Sequence, residues 1–163
     1  MYLRYKLFWD CTLDSDVLTD NWFNACFAEA APIMKKYFNS INQFTLSALN
    51  RAGFDEYYIG YNYMQSDLWS ITIIYEWFDY IEDAMSVIQM NYQDSDPEYY
   101  EIIKRNILFE AVWPATALSV MFNPTSGGDR FVKIIKYFAD NEGTYFKDFG
   151  RLPERQFRDT SLI

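Results

Sequence analysis

The 163-residue chain contains no histidine and only two cysteines. Without histidine it lacks the usual general acid and base at neutral pH, every Ser/His or Cys/His nucleophile pair, and a common metal ligand. It also lacks the GxGxxG, P-loop, CxxC and GxSxG patterns that mark nucleotide, redox and hydrolase sites. Two cysteines favour buried free thiols over a disulfide. We therefore expect a chain that is not an enzyme and that holds no cofactor or metal.

The sequence also lacks a run of about 18 uncharged apolar residues, the length that spans a bilayer. Half of the residues are hydrophobic, 20% are aromatic, and the mean hydropathy is −0.23. This composition is too apolar for a disordered chain. The first residues are basic but meet acidic residues at once, without the apolar region of a signal peptide. We expect one cytoplasmic domain over residues 1–163, with residues 144–163 as a frayed tail.

Lysine and arginine are absent from the stretch Ala52 to Ile103, although the chain has 14 of them in total. The same stretch contains eleven of the 23 acidic residues and nine of the 14 tyrosines. The formal net charge is −9 and the sequence pI is about 4.4. A field of this sign repels nucleic acids and anionic membranes, and it attracts basic protein surfaces. We therefore expect a basic protein partner, and neither direct nucleic-acid nor membrane binding.

Hydrophobic periodicity predicts an all-α fold, an irregular bundle of five to six helices, some of them kinked by proline. In the first half of the chain, Thr19 or Asp20 is the predicted cap of a helix that runs to about Phe38. Pro32 lies inside this helix and predicts a kink or break near Ala31, because proline lacks the backbone donor.

Other parts of the first half are less regular. Residues 14–16 are interpreted as a loop, and Ser40 as the start of a new helix that ends near Gly53. Residues 2–9 alternate loosely and form either a short N-terminal strand or the first turns of a helix. Residues 54–64 are rich in tyrosine and fit a strand or loop, with a distorted helix as the alternative.

The strongest helical signal opens at Ser66 and runs to Tyr92. Its predicted apolar stripe consists of Ile73, Ile74, Trp77, Phe78, Ile81, Met85 and Ile88. The next helix has Asp96 as its cap and Pro97 at its first position, and Pro114 predicts a kink further along.

The candidate partner-binding residues come from the acidic stretch. About 100° of rotation per residue turns three acids of the central helix, Glu76, Asp79 and Asp83, roughly 140–160° away from its apolar stripe, and so outward. Trp69 falls about 120° from that stripe, which predicts an exposed side chain. Tyrosine and tryptophan are enriched at interface hot spots, although packing on the core is the alternative for any single tyrosine. The predicted charged face is Glu76, Asp79, Asp83, Asp94, Asp96 and Glu98, and the candidate anchors are Tyr57, Tyr58 and Trp69.

The leading hypothesis is a protein-binding inhibitor that occludes a basic surface of its partner. A nuclease or another nucleic-acid enzyme is the natural candidate, because its substrate channel is positive. Small acidic proteins of this character include toxin-immunity proteins, antitoxins and phage anti-defence inhibitors. Another hypothesis is a structural subunit that forms homo-oligomers.

The alternative from a different class is a Mg²⁺-dependent all-α nucleotide hydrolase. The pairs Glu76/Asp79 and Glu98/Glu101 are each spaced to share one helix face. Their predicted directions, away from the apolar stripes, argue against a metal site between helices. Glu110 is the acid expected nearest to the core, about 60° from the centre of its stripe, where we expect it to pair with a basic side chain.

Overall fold

The computed structural model describes residues 6, 10, 12–52 and 68–122, which are mostly helical and include no strand. The elements are α1 (Ser15–Phe27), a 3₁₀ turn (Ala28–Ala30), α2 (Ala31–Ala52), α3 (Ile71–Tyr92), α4 (Pro97–Glu110) and α5 (Val112–Met121). The all-α prediction is confirmed for these residues. The total of five to six helices stays a prediction, because it involves residues outside them. Residues 54–64 and the tail 144–163 also lie outside the described residues.

The start of α1 differs from the prediction. Asp14 caps this helix, and its Oδ1 accepts hydrogen bonds from the backbone N–H of Asp16 at 2.8 Å and of Val17 at 3.3 Å. These amides have no helical acceptor of their own, so an aspartate ahead of them begins the helix. The loop predicted at 14–16 and the cap predicted at Thr19 or Asp20 are therefore wrong. The Thr19 hydroxyl instead donates to the carbonyl of Ser15 at 2.7 Å.

The break predicted at Pro32 is confirmed. Pro32 has no N–H to donate to the carbonyl of Ala28, four residues earlier. The helix ends at Phe27, and the N–H of Ala31 bonds the Ala28 carbonyl instead, in a 3₁₀ turn. Ala28 has φ 48° and ψ −131°, a conformation that redirects the chain from α1 into α2.

The second helix is continuous through Ser40, so the predicted restart at this residue is wrong. Ser40 lies in the helix interior, where its Oγ accepts a hydrogen bond from Nε1 of Trp77 at 3.0 Å. A serine that turns towards a tryptophan on a neighbouring helix does not interrupt its own helix. The last described residue of α2 is Ala52, so the end predicted near Gly53 lies outside the described residues and stays a prediction.

The central helix α3 packs against α2, the 3₁₀ turn, α4 and α5. It begins at Ile71 after Ser70, later than the predicted start at Ser66. Trp77 contacts Ser40, and Tyr92 contacts Glu29, so α3 runs antiparallel to α2. Its buried residues follow the predicted stripe closely, and they are Ile74, Trp77, Phe78, Ile81, Ala84 and Ile88.

The second half of the described chain follows the sequence prediction. Asp96 caps α4 by accepting from the N–H of Tyr99 at 3.1 Å, and Pro97 occupies the first turn. The helix ends at Glu110, four residues before Pro114, and α5 begins at Val112. The predicted kink is confirmed as a break between two helices.

At the N-terminus, Lys6 is helical, and its carbonyl accepts from the N–H of Asp10 at 3.0 Å. Apart from Lys6, residues 2–9 lie outside the described residues, so the choice between a short strand and the first turns of a helix there stays a prediction. None of the helices in the described ranges is both long enough and apolar enough to cross a bilayer.

Candidate interaction surface

Three predicted acids form a row along the solvent side of α3, which we call the acidic ridge: Glu76, Asp79 and Asp83. All three are exposed, in the direction predicted from the helical wheel. Their spacing of three and four residues aligns them on one face of the helix. The hydroxyl of Tyr80 donates to Oε1 of Glu76 at 3.2 Å, which holds this carboxylate against the helix.

The other three predicted acids lie where α3 turns into α4, a region we call the acidic corner: Asp94, Asp96 and Glu98. All three are exposed. Asp94 lies in the turn that connects the two helices, and Glu98 lies in the first turn of α4. Asp96 also has a structural role, because one of its oxygens caps α4.

The ridge and the corner are two separate surfaces. Asp83 precedes the last residue of α3, Tyr92, by nine positions, which at about 1.5 Å per residue is roughly 14 Å. At physiological salt the Debye length is about 8 Å, so exposed charges at this separation are largely screened from one another. The structure therefore divides the charged face into a ridge and a corner that act as separate patches.

Trp69 is buried, with 4% of its surface exposed, so the predicted exposure is wrong. The prediction assumed a helix from Ser66, but Trp69 precedes the first turn of α3 and follows no helical wheel. Its ring packs at 5.2 Å from Trp113 and at 5.3 Å from Phe44. Trp69 is a core residue and cannot anchor a partner.

The two other predicted anchors, Tyr57 and Tyr58, lie outside the described residues. The tyrosines of the acidic stretch that are described are all half-buried and pack on the core: Tyr75, Tyr80, Tyr92, Tyr99 and Tyr100. Each tyrosine covers apolar surface of the core while its edge stays in solvent. The two alternatives from the sequence, packing on the core and exposure at the surface, therefore both apply in part.

Met90, whose side chain is 79% exposed, was not predicted as a surface residue from the sequence. It lies seven residues after Asp83, so about 100° per residue places it on the same side of α3 as the acidic ridge. This signal was available in the sequence, because the same helical wheel places the ridge acids. The ridge thus ends in an exposed, flexible apolar side chain.

Glu110 lies near the core, as predicted, and its side chain is partly buried. Burial raises the pKa of this carboxyl to about 7. Among the described residues it forms no ion pair, and the predicted pairing with a basic side chain is wrong for this part of the chain. The basic residues nearest on α4, Lys104 and Arg105, lie about 120° and 140° around the helix axis from Glu110.

Two other ionisable groups lie close to Glu110. The Tyr37 hydroxyl donates to its backbone carbonyl, and burial followed by the Glu110 charge raises the pKa of Tyr37 well above its ordinary value. Cys26 is a free, partly buried thiol, and its pKa is raised by burial first and by Glu110 second. A raised pKa keeps the thiol protonated and unreactive.

The residues of the hydrolase hypothesis do not converge. Glu76, Asp79, Glu98 and Glu101 are all exposed, and Glu101 pairs with Lys104 at 2.9 Å. In the described ranges no three acidic, histidine or cysteine residues come together in a group that could hold a metal ion. Metal-site carboxylates of a helical bundle project inward between helices, and these four do not.

Comparison with models of protein families, with characterised proteins and with solved structures finds no match for this chain. An assignment of function therefore depends on the chemistry of the described surface. The acidic stretch contributes two acidic patches, the exposed side chain of Met90 and a row of half-buried tyrosines to that surface.

Proposed function

We propose that this chain is a cytoplasmic protein-binding inhibitor that occludes a basic surface of a partner protein. The acidic ridge of α3 is the surface that meets this partner first. A nuclease or another enzyme that binds nucleic acid is the partner of the right chemistry, because its active-site channel carries positive charge.

The observation that carries the proposal is the composition of the exposed side of α3. Its three ridge carboxylates supply a field that speeds the encounter with a basic surface. Met90 supplies a large apolar side chain at the end of the same row, 79% exposed. Methionine is enriched at interfaces, and apolar anchors provide most of the affinity once two surfaces have met. In this proposal Met90 takes the role that the sequence analysis gave to Trp69.

The test begins with capture of binding proteins from a lysate of the source cells. The bait is the wild-type chain or the triple variant Glu76→Lys, Asp79→Lys, Asp83→Lys. We expect mass spectrometry to identify a basic protein that the wild type retains and the variant loses. With the purified partner, the triple variant should slow association at least tenfold at low salt, because it reverses the steering field.

Two further variants separate steering from anchoring. Met90→Ala should accelerate dissociation and leave the association rate almost unchanged. Asp16→Lys, a charge reversal at the far end of α1, is the matched control and should change neither rate. Association that is insensitive to salt and to the triple variant would contradict the proposal. Light scattering of the chain alone will report whether Met90 instead meets a second copy.

A further inference from the structure

A shallow groove of about 490 Å³ lies at the end of the bundle, beside the acidic corner. It is formed where the break between α1 and α2 faces the end of α3 and the first turn of α4. Its lining residues are Asn24, Ala28, Glu29, Pro32, Tyr92 and Tyr99. The positive φ of Ala28 bends the chain around this groove, so the same backbone break that Pro32 causes also forms its wall.

The groove presents aromatic rings and a fixed carboxylate. Tyr92 and Tyr99 pack edge to face, with ring centroids 5.0 Å apart and an interplanar angle of 82°, so the two rings expose faces in different directions. The Tyr92 hydroxyl donates to Oε2 of Glu29. This bond, followed by desolvation, raises the pKa of Tyr92 to about 12, so the phenol stays a neutral donor at physiological pH.

The Glu29 carboxylate is exposed and keeps acceptor capacity beyond its bond with Tyr92. A carboxylate offers two oxygens with about four lone-pair directions, and one hydroxyl donor uses only one of them. Because the Tyr92 hydroxyl already holds one oxygen of Glu29, the Glu29 side chain loses less conformational entropy when a second donor binds it.

The described residues that line the groove carry negative charge and no positive charge. Glu29 is acidic, and no lysine or arginine is among the described lining residues. Asp96 is near enough to the Tyr92 hydroxyl to raise the pKa of Tyr92. Asp94 and Glu98, the other exposed acids of the corner, lie two residues before and after Asp96 in the sequence. This field repels phosphates and carboxylates and favours a cation.

We infer that the groove binds the guanidinium group of an arginine side chain contributed by the basic partner. A guanidinium is flat, stacks on an aromatic face and donates two parallel hydrogen bonds to one carboxylate. The ammonium group of lysine can also lie over a ring, but it is a strongly hydrated point charge that neither stacks flat on the ring nor offers a rigid pair of parallel donors. A hard metal ion needs more oxygen ligands than the single Glu29 side chain provides. This inference rests on the proposed function, and it assigns the corner and its groove a role in specificity beside the steering role of the ridge.

The test uses two capped hexapeptides of equal charge, six arginines or six lysines, titrated into the full chain and followed by isothermal calorimetry and amide chemical shifts. We expect the arginine peptide to bind about five-fold more tightly. Shift changes should concentrate at the groove, around Glu29 and Tyr99. Glu29→Gln and Tyr99→Leu should each abolish the preference for arginine while the lysine peptide still binds the exposed acids.

Tyr92→Phe provides a variant that keeps the ring and removes the bond to Glu29, in case Tyr99→Leu perturbs the fold. It should reduce the arginine preference without abolishing it. The matched control is Asp16→Asn, which removes one exposed acid about 18 Å along α1 from Ala28 and should leave the preference intact.

The outcomes separate this inference from the proposed function. Equal binding of both peptides, or a preference that survives Glu29→Gln, overturns the arginine site even when the ridge variants weaken both peptides equally. Absence of binding by either peptide at millimolar concentration overturns it as well. If the partner associates with the triple ridge variant as fast as with the wild type, that result counts against the proposed function alone.

Discussion

Two prolines interrupt helices in the part of the chain that the structure describes, and the chain compensates for them in opposite ways. Each proline lacks the N–H that would bond the carbonyl four residues earlier, which leaves Ala28 without a donor before Pro32 and Glu110 without one before Pro114. At the first break the compensation is local. The N–H of Ala31 bonds the Ala28 carbonyl within a 3₁₀ turn, and the backbone of Ala28 takes a positive φ.

At the second break the compensation comes from a distant part of the chain. The Tyr37 hydroxyl, on α2, donates to the carbonyl of Glu110, 73 residues further along the sequence. Tyr37 is 1% exposed and Glu110 is partly buried, so this bond lies at the edge of the core. The break also leaves the Glu110 side chain partly buried without a basic partner among the described residues.

A proline determines where a helix ends, while its surroundings determine how the carbonyl four residues earlier is compensated. The break at Pro32 lies beside an open groove, where a strained backbone can redirect the chain and shape a surface. The break at Pro114 lies against the core, where an unpaired carbonyl would be costly and a buried hydroxyl is needed. The first break therefore contributes to a candidate binding site and the second to stability.

Tyr37→Phe tests the compensation at the second break. This change leaves the Glu110 carbonyl buried without its donor, and it should lower the free energy of unfolding by about 2 kcal/mol. Urea denaturation followed by circular dichroism measures the loss. Tyr80→Phe is the control, because its hydroxyl bonds an exposed carboxylate, and it should cost less than about 0.5 kcal/mol.

The same prediction can be sharpened with Pro114→Ala, which restores an N–H four residues after Glu110. In that background Tyr37→Phe should cost less than about 1 kcal/mol, because the backbone can then bond the carbonyl. If Tyr37→Phe costs the same with either residue at position 114, the Tyr37 hydroxyl is not the substitute for the missing donor.

The second effect is a dependence of stability on pH. Glu110 has a pKa of about 7 in the native protein against 4.5 for an ordinary glutamate, so the native state holds its proton more strongly. Stability from this group is fully present below pH 4.5 and is lost as pH rises through about 7. The loss should reach about 2 kcal/mol, less than the full linkage value because part of the side chain contacts solvent.

Glu110→Gln should remove this dependence and make the protein more stable than wild type at pH 8, since a neutral amide replaces a partly buried charge. Asp83→Asn, on the exposed ridge, is the control and should leave the pH profile between 5 and 8 unchanged. Denaturation midpoints at several pH values measure both. A wild-type profile that rises through this range would contradict the assigned pKa.

Much of this architecture follows from local sequence rules. Asp96 followed by Pro97 predicts the start of α4 because capping and proline act within a few residues. Pro32 and Pro114 predict breaks for the same reason. The outward direction of Glu76 and the other ridge acids follows from helical periodicity, and Met90 follows from the same geometry, although the sequence analysis did not use it.

The features that escaped prediction depend on contacts between distant segments. Trp69 is buried because it packs on Trp113 and Phe44, and no local pattern indicates that contact. The bond between Tyr37 and Glu110, and the groove between Glu29 and Tyr92, join residues more than 60 positions apart. The candidate surface was therefore predicted in its charge but not in its division into a ridge and a corner.

Ala28→Gly tests the strained backbone at the first break. Ala28 has φ 48°, a region that an ordinary residue enters at a cost and that glycine enters freely. Ala28→Gly should therefore raise the free energy of unfolding by about 1 kcal/mol. Ala25→Gly, three residues earlier in the regular part of α1, should lower it by about 1 kcal/mol, because glycine in a helix interior is unfavourable. The two substitutions have identical chemistry and opposite predicted signs. Equal destabilisation by both would mean that the positive φ of Ala28 is not a source of strain. The break at Pro32 would then not differ from the break at Pro114 in storing strain in its backbone.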